Sequence, residues 1–97
     1  MSNVTASTQV PDPSTLGDAE LESLLQHLER EERSVSKRRT TLHRRIEFVV
    51  AGGYASNDPE QASLDALRAT EAEVSERRHR IHEQIDALRA ERNRRRA

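Results

Sequence analysis

The chain has 97 residues, of which 33% are hydrophobic and 34% charged, with one Phe, one Tyr and no Trp. That length allows one domain, and so few apolar side chains exclude a globule with a broad aromatic core; they suit long helices sharing a narrow apolar seam. A formal net charge of −1 and the absence of Cys exclude a general polyanion binder, disulfides and thiolate metal sites.

Residues 1–14 are polar and carry Pro11 and Pro13, so they read as a flexible N-terminal tail. They have neither a basic n-region nor an apolar h-region, and no apolar run in the chain approaches the ~20 residues that cross a bilayer. The expected compartment is the cytoplasm, with no membrane contact.

The remainder, residues 15–97, reads as one antiparallel helical hairpin. Helix signals begin at Ser14-Thr15-Leu16-Gly17-Asp18, with Thr15 as the expected cap and Asp18 in the capping-box position. Asp18, Glu20 and Glu22 suit the positive end of a helix dipole. From Leu21 the positions Leu25, Leu28, Glu32, Val35, Arg39, Leu42, Ile46 and Val49 follow in alternating steps of four and three, which is a heptad seam. The first helix therefore spans about 16–50 and stops at Ala51-Gly52-Gly53, since Gly is favoured just past a helix C-terminus.

A connection over about 51–58 includes Tyr54. Asp58-Pro59-Glu60-Gln61 restarts a helix, with Asp58 as cap, Pro59 at the first position and Gln61 closing a capping box. The second seam is Leu64, Leu67, Glu71, Val74, Arg78, Ile81, Ile85, Leu88 and Arg92. This helix spans about 59–94, and its basic end suits the negative pole of the dipole.

So short a connection makes the helices antiparallel neighbours. Folding the chain about it sets Ile46 against Leu64, Leu42 against Leu67, Arg39 against Glu71 and Val35 against Val74. It then sets Glu32 against Arg78, Leu28 against Ile81, Leu25 against Ile85 and Leu21 against Leu88. Apolar layers lie at both ends, and two Glu–Arg layers flank a Val–Val layer in the middle. Such charged layers commonly fix register in a coiled coil. On that ground alone the chain could be a ligand-free structural adaptor.

The polar residues, however, repeat beyond the seam. Glu32, Ser36, Arg39, His43 and Glu47 each recur 39 positions on, as Glu71, Ser75, Arg78, His82 and Asp86. At about 100° per residue each set falls within about 80° of arc, a single stripe about four turns long. In an antiparallel pair the two stripes lie side by side and run in opposite directions. Carboxylates can accept from the N–H groups of a guanine edge, Arg can donate a bidentate pair to guanine O6 and N7, and Ser, Arg and imidazolium can hold phosphate. A surface with two-fold character favours a two-fold ligand or two copies of one.

These stripes resemble the signature of the RsiG family of actinobacterial anti-sigma factors. That signature is Glu, three residues, Ser, two residues, Arg, three residues, Gln, three residues, Asp. The resemblance covers Glu32–Glu47 and Glu71–Asp86. Glu32, Ser36, Arg39, Glu71, Ser75, Arg78 and Asp86 match directly. Glu47 stands where the family has Asp and keeps the carboxylate; His43 and His82 both stand where it has Gln. A neutral imidazole still offers one donor and one acceptor.

The resemblance implies an antiparallel hairpin that binds cyclic di-GMP through all ten positions. It also implies that the hairpin sequesters a WhiG-type sigma factor when the dinucleotide is present, as a regulator of transcription and not as an enzyme. Whether the hairpin is monomeric or pairs through an exposed seam flank into a four-helix assembly stays open.

Other chemistries fit less well. Glu76 and His79 form a Glu-x-x-His step, but the first helix has Thr40 where a di-iron site needs a second His. Lys37-Arg38-Arg39, Arg44-Arg45, Arg77-Arg78 and Arg94-Arg95-Arg96 are basic, yet acids interleave with them and stacking aromatics are lacking, so direct DNA binding is not expected. No nucleophile stands beside a base, and two long helices enclose little space. Leu24, Phe48, Val50 and Tyr54 are outer apolar residues for a protein partner, with Phe48 and Tyr54 the expected anchors.

Overall fold

A computed structural model describes residues 12–52 and 64–97. The described chain is all-α. A short 3-10 turn, Pro13–Thr15, precedes helix α1, Asp18–Val50, and helix α2 spans Leu64–Arg96. The expected caps at Asp58, Pro59 and Gln61, and the aromatic Tyr54, lie outside the described residues.

The start of α1 corrects one expectation. Gly17, not Thr15, is the N-cap residue, and its N–H donates to Glu20 Oε1 at 2.9 Å. Asp12 explains the shift. Its Oδ1 accepts from Ser14 N at 3.0 Å and its backbone carbonyl accepts from Thr15 Oγ1 at 2.7 Å. With Pro13 fixing φ at the first position, these bonds close a separate 3-10 turn. Thr15 is consumed by that turn, Leu16 is extended, and the α-helix begins only after it.

The other end of α1 stops as the glycines suggest. Ala51 N–H donates to Glu47 O, Gly52 N–H donates to Val49 O, and Gly52 has φ 97°. That left-handed conformation suits a residue without Cβ.

The helices pack antiparallel along the seam. Leu21, Leu25, Leu28, Val35 and Leu42 of α1 are buried, as are Leu67, Val74, Ile81, Ile85 and Leu88 of α2. Leu16, Leu24, Ile46 and Val49 pack partly buried against this row. Ion pairs across the hairpin report the direction of the chains: Asp18 with Arg95, Glu22 with Arg92, Glu29 with Arg89, Glu31 with Arg77, Glu32 with Arg78, and Arg39 with Glu71. Apart from the neighbouring pairs at Glu31 and Glu32, partner numbers fall in one helix as they rise in the other.

The seam departs from its periodic pattern at the far end of α2. Arg92, expected on the seam, is half-buried, while Glu91 is buried at 9% exposure. Glu91 accepts from Arg94 Nε at 3.0 Å and from Arg95 Nε at 2.7 Å. Arg95 also donates through Nη1 to Asp18 Oδ1 at 2.7 Å, and through Nη2 to Leu16 O at 2.7 Å and Pro13 O at 3.1 Å. One guanidinium thus clasps the end of α2 to the 3-10 turn and the first turn of α1. Hydrogen bonds from Arg94 and Arg95 hold the Glu91 carboxyl down to about 2. A buried carboxylate is tolerated here because several charge-assisted bonds satisfy it.

Candidate functional site

The polar middle of the hairpin is one interlocked structure. Glu71 and Ser75 stand one turn apart on α2, and Ser75 Oγ donates to Glu71 Oε2 at 2.7 Å. From α1, Arg39 Nε donates to Ser75 Oγ at 2.9 Å, and His43 Nε2 meets Glu71 Oε2 at 2.7 Å. The direct Arg39–Glu71 approach is longer, 3.7 Å. The serine hydroxyl therefore sits between the ion-pair partners, accepting from one and donating to the other.

The same arrangement recurs with the helices exchanged. Ser36 Oγ donates to Glu32 Oε2 at 2.8 Å, Arg78 Nε donates to Ser36 Oγ at 2.7 Å, and His82 Nε2 meets Glu32 Oε2 at 3.1 Å. Arg78 lies 3.7 Å from Glu32. Exposure matches as well: both glutamate side chains are 22% exposed, the arginines 38% and 37%, and the histidines 42% and 43%. The sequence repeat has become a pseudo-two-fold axis relating two half-sites.

Each half-site draws on both helices. The expectation of two stripes side by side and oppositely directed is refined accordingly: the Glu and Ser of one stripe are completed by the Arg and His of the other. The serines and histidines, which a register device alone was not expected to need, belong to the cross-helix network. It holds because of spacing. Glu and Ser at i, i+4 share a helix face, and Arg and His at i, i+4 do so on the facing helix.

The electrostatics follow from these bonds. The Ser36 hydroxyl, followed by the His82 contact and Arg78, holds the Glu32 carboxyl below its ordinary value against an opposing effect of burial. Ser75, then His43 and Arg39, do the same for Glu71. Both glutamates are carboxylates at neutral pH, so the imidazole Nε2 atoms act as donors to them.

The structure does not bring all ten positions together. Glu47 and Asp86 are exposed, and among the described residues neither side chain makes a hydrogen bond or ion pair. They stand beyond the outer ends of the two networks as unengaged carboxylates. Glu29, Glu32, Arg33, His82, Ile85 and Arg89 line a cleft beside one half-site.

The residues weighed for other roles separate clearly. Glu76 pairs with Arg80 and His79 with Glu83, and no group of three metal-binding side chains occurs among the described residues. Phe48 and Val50 are exposed, at 56% and 60%. Leu24, expected among the outer apolar residues, is half-buried and packs against the buried row. The Glu91–Arg95 clasp had no periodic signal; a buried acid followed at i+3 and i+4 by arginines was its only trace.

A family model described as RsiG-like matches residues 7–62. This region contains the whole first stripe, Glu32 to Glu47, and ends before the second. No curated protein and no solved structure matches the chain. The match spans more than half of the sequence, and its stripe is the one that forms half of each polar network: the chain belongs to the RsiG-like family, a family of regulatory anti-sigma factors.

Proposed function

We propose that the protein is a cytoplasmic cyclic di-GMP sensor that sequesters a WhiG-type sigma factor when the dinucleotide is bound. The observation that carries this reading is the pair of matched half-sites, each with a carboxylate, a hydroxyl, a guanidinium and an imidazole, on one face of a family member. Their two-fold relation suits a ligand that is itself two-fold symmetric, or two such ligands.

In this reading Glu32, Glu71, Glu47 and Asp86 accept from guanine N–H groups. Arg39 and Arg78 donate to guanine O6 and N7 or to phosphate. Ser36 and Ser75 contribute hydroxyls to phosphate, and His43 and His82 donate beside them. The free hairpin already satisfies these groups internally, Glu47 and Asp86 excepted, so binding exchanges internal hydrogen bonds for ligand bonds at the other eight positions. Such an exchange costs less than desolvating bare charges, and it keeps the side chains preorganised. The sigma factor would close over the ligand and add its own contacts.

The internal satisfaction of the networks also favours a second reading, a structural coiled-coil adaptor without ligand. Calorimetric titration with cyclic di-GMP, with and without the sigma factor, separates the two. The sensor reading expects saturable heat that Arg39→Ala and Arg78→Ala abolish. Absence of heat under both conditions leaves the adaptor.

A further inference from the structure

The half-sites match, but the outer edges of the two helices do not. With Glu32 set to zero at about 100° per residue, the seam residues Leu28, Val35 and Leu42 lie near −40° to −80°. Arg30, Arg33, Lys37 and Arg44 lie at about 100° to 160°, on the outer edge of α1, with Arg33 also bordering the cleft that His82 and Ile85 line. All four are exposed, and among the described residues none of their side chains makes a hydrogen bond or ion pair. The positions 39 further on are Ala69, Ala72, Glu76 and Glu83, also exposed. Of these, Glu76 pairs with Arg80 and Glu83 with His79, each at 3.3 Å.

Four free cations therefore face out from α1 where α2 presents two alanines and two carboxylates. A two-fold site alone would accept a partner in either of two orientations. The edges distinguish them, because like charges brought together across an interface disfavour the wrong orientation.

We propose that the basic edge of α1 docks an acidic helical face of the partner protein and so fixes the orientation of the complex. This rests on the sigma-factor reading above. The spacing of the cations argues for a helix. Steps of three, four and seven residues set Arg30, Arg33, Lys37 and Arg44 in a row, with rises of about 4.5, 6 and 10.5 Å. Carboxylates at the same steps on a facing helix meet each cation in turn. A nucleic acid suits the edge less well: the exposed Phe48 lies past Arg44 and not between the cations, so no aromatic interleaves with them for stacking, and the carboxylates Glu76 and Glu83 along α2 repel a polyanion that wraps the hairpin. With little apolar surface between the cations, the contact acts chiefly on association rate and is screened by salt.

The test uses the full chain carrying Arg33→Glu, Lys37→Glu and Arg44→Glu together. Association with the sigma factor is followed under saturating cyclic di-GMP at low and high ionic strength. The association rate is expected to fall by about tenfold or more at low salt, with the gap closing at high salt. Glu76→Lys with Glu83→Lys is expected to change it by less than about twofold. The neutral triple Arg33→Ala, Lys37→Ala and Arg44→Ala adds no repulsion and guards against misfolding; it should show a smaller loss with the same salt dependence.

Wild-type rates in both triples overturn the docking edge and leave the sensor reading intact, as does an equal loss in the α2 double variant. If the wild-type chain binds duplex DNA at low salt and the triples do not, the edge is a nucleic-acid surface and the proposal fails. A wild-type chain that binds no sigma factor overturns the sensor reading itself, and the docking edge with it.

Discussion

Two regions of this hairpin pair glutamate with arginine, one across the two helices and one within α2, and they differ in kind. In the middle, Glu32 with Arg78 and Glu71 with Arg39 stand 3.7 Å apart, bridged by serines, partly exposed and repeated about an axis. At the far end, Glu91 is buried, held by Arg94 and Arg95, and nothing repeats it. The clasp is asymmetric because its task is local: it ties the last turn of α2 to Asp18, Leu16 and Pro13. The middle is symmetric and half open to solvent, which closure of a helix end does not call for. The difference separates a buried polar group that ties down a helix end from a symmetric one left partly open to solvent.

Truncating the apolar layers next to the clasp should have the largest effect. Leu88 is fully buried and Leu25 nearly so; Leu88→Ala or Leu25→Ala should lower unfolding stability by about 2–5 kcal/mol. Chemical denaturation measures it, and both half-sites should fail only as the whole hairpin unfolds.

The clasp comes next. Arg95→Ala removes every bond to the 3-10 turn and leaves Glu91 with Arg94 alone, so its melting temperature should drop more than that of Arg89→Ala, which loses a single exposed pair with Glu29. The carboxyl of Glu91 is depressed to about 2 from an ordinary 4.5. A group whose folded value is lowered stabilises above the unfolded value and loses that contribution as pH falls through the folded one. Stability should therefore decline between about pH 4.5 and 2, and Glu91→Gln should flatten that limb. An unchanged acid limb in Glu91→Gln would assign it elsewhere.

The smallest effects belong to the middle. Ser36→Ala and Ser75→Ala each remove one bridging hydroxyl, at a cost of about 0.5–1.5 kcal/mol. The two should match, since the half-sites match. A clear inequality in thermal unfolding would break the two-fold relation on which the comparison rests.

How much of this was legible follows from what repeats. The seam residues from Leu21 to Val49 and from Leu64 to Leu88 announce themselves by spacing, and their antiparallel pairing places Arg39 at Glu71 and Glu32 at Arg78. The glycine stop is equally local. The serine bridges were not foreseen, because whether a hydroxyl points along its own helix or across to the next depends on the approach of two side chains. The clasp joins residues nearly at opposite ends of the chain and has no period. The helix start was misplaced for a physical reason: Asp12 and Pro13 spend Thr15 on a 3-10 turn. Glu47 and Asp86 belong to the sequence repeat but stand outside both networks, so repetition alone did not reveal which members interact in the free protein.

The central claim is that two equivalent half-sites make one ligand surface. Imidazole resonances of His43 and His82, assigned by His43→Gln and His82→Gln and followed by NMR during titration with cyclic di-GMP in the presence of the sigma factor, test it most directly. The account predicts that both histidines shift and saturate together with the dinucleotide. Resonances that stay unmoved at saturating dinucleotide, or a shift confined to His27 and His79 outside the networks, would contradict it.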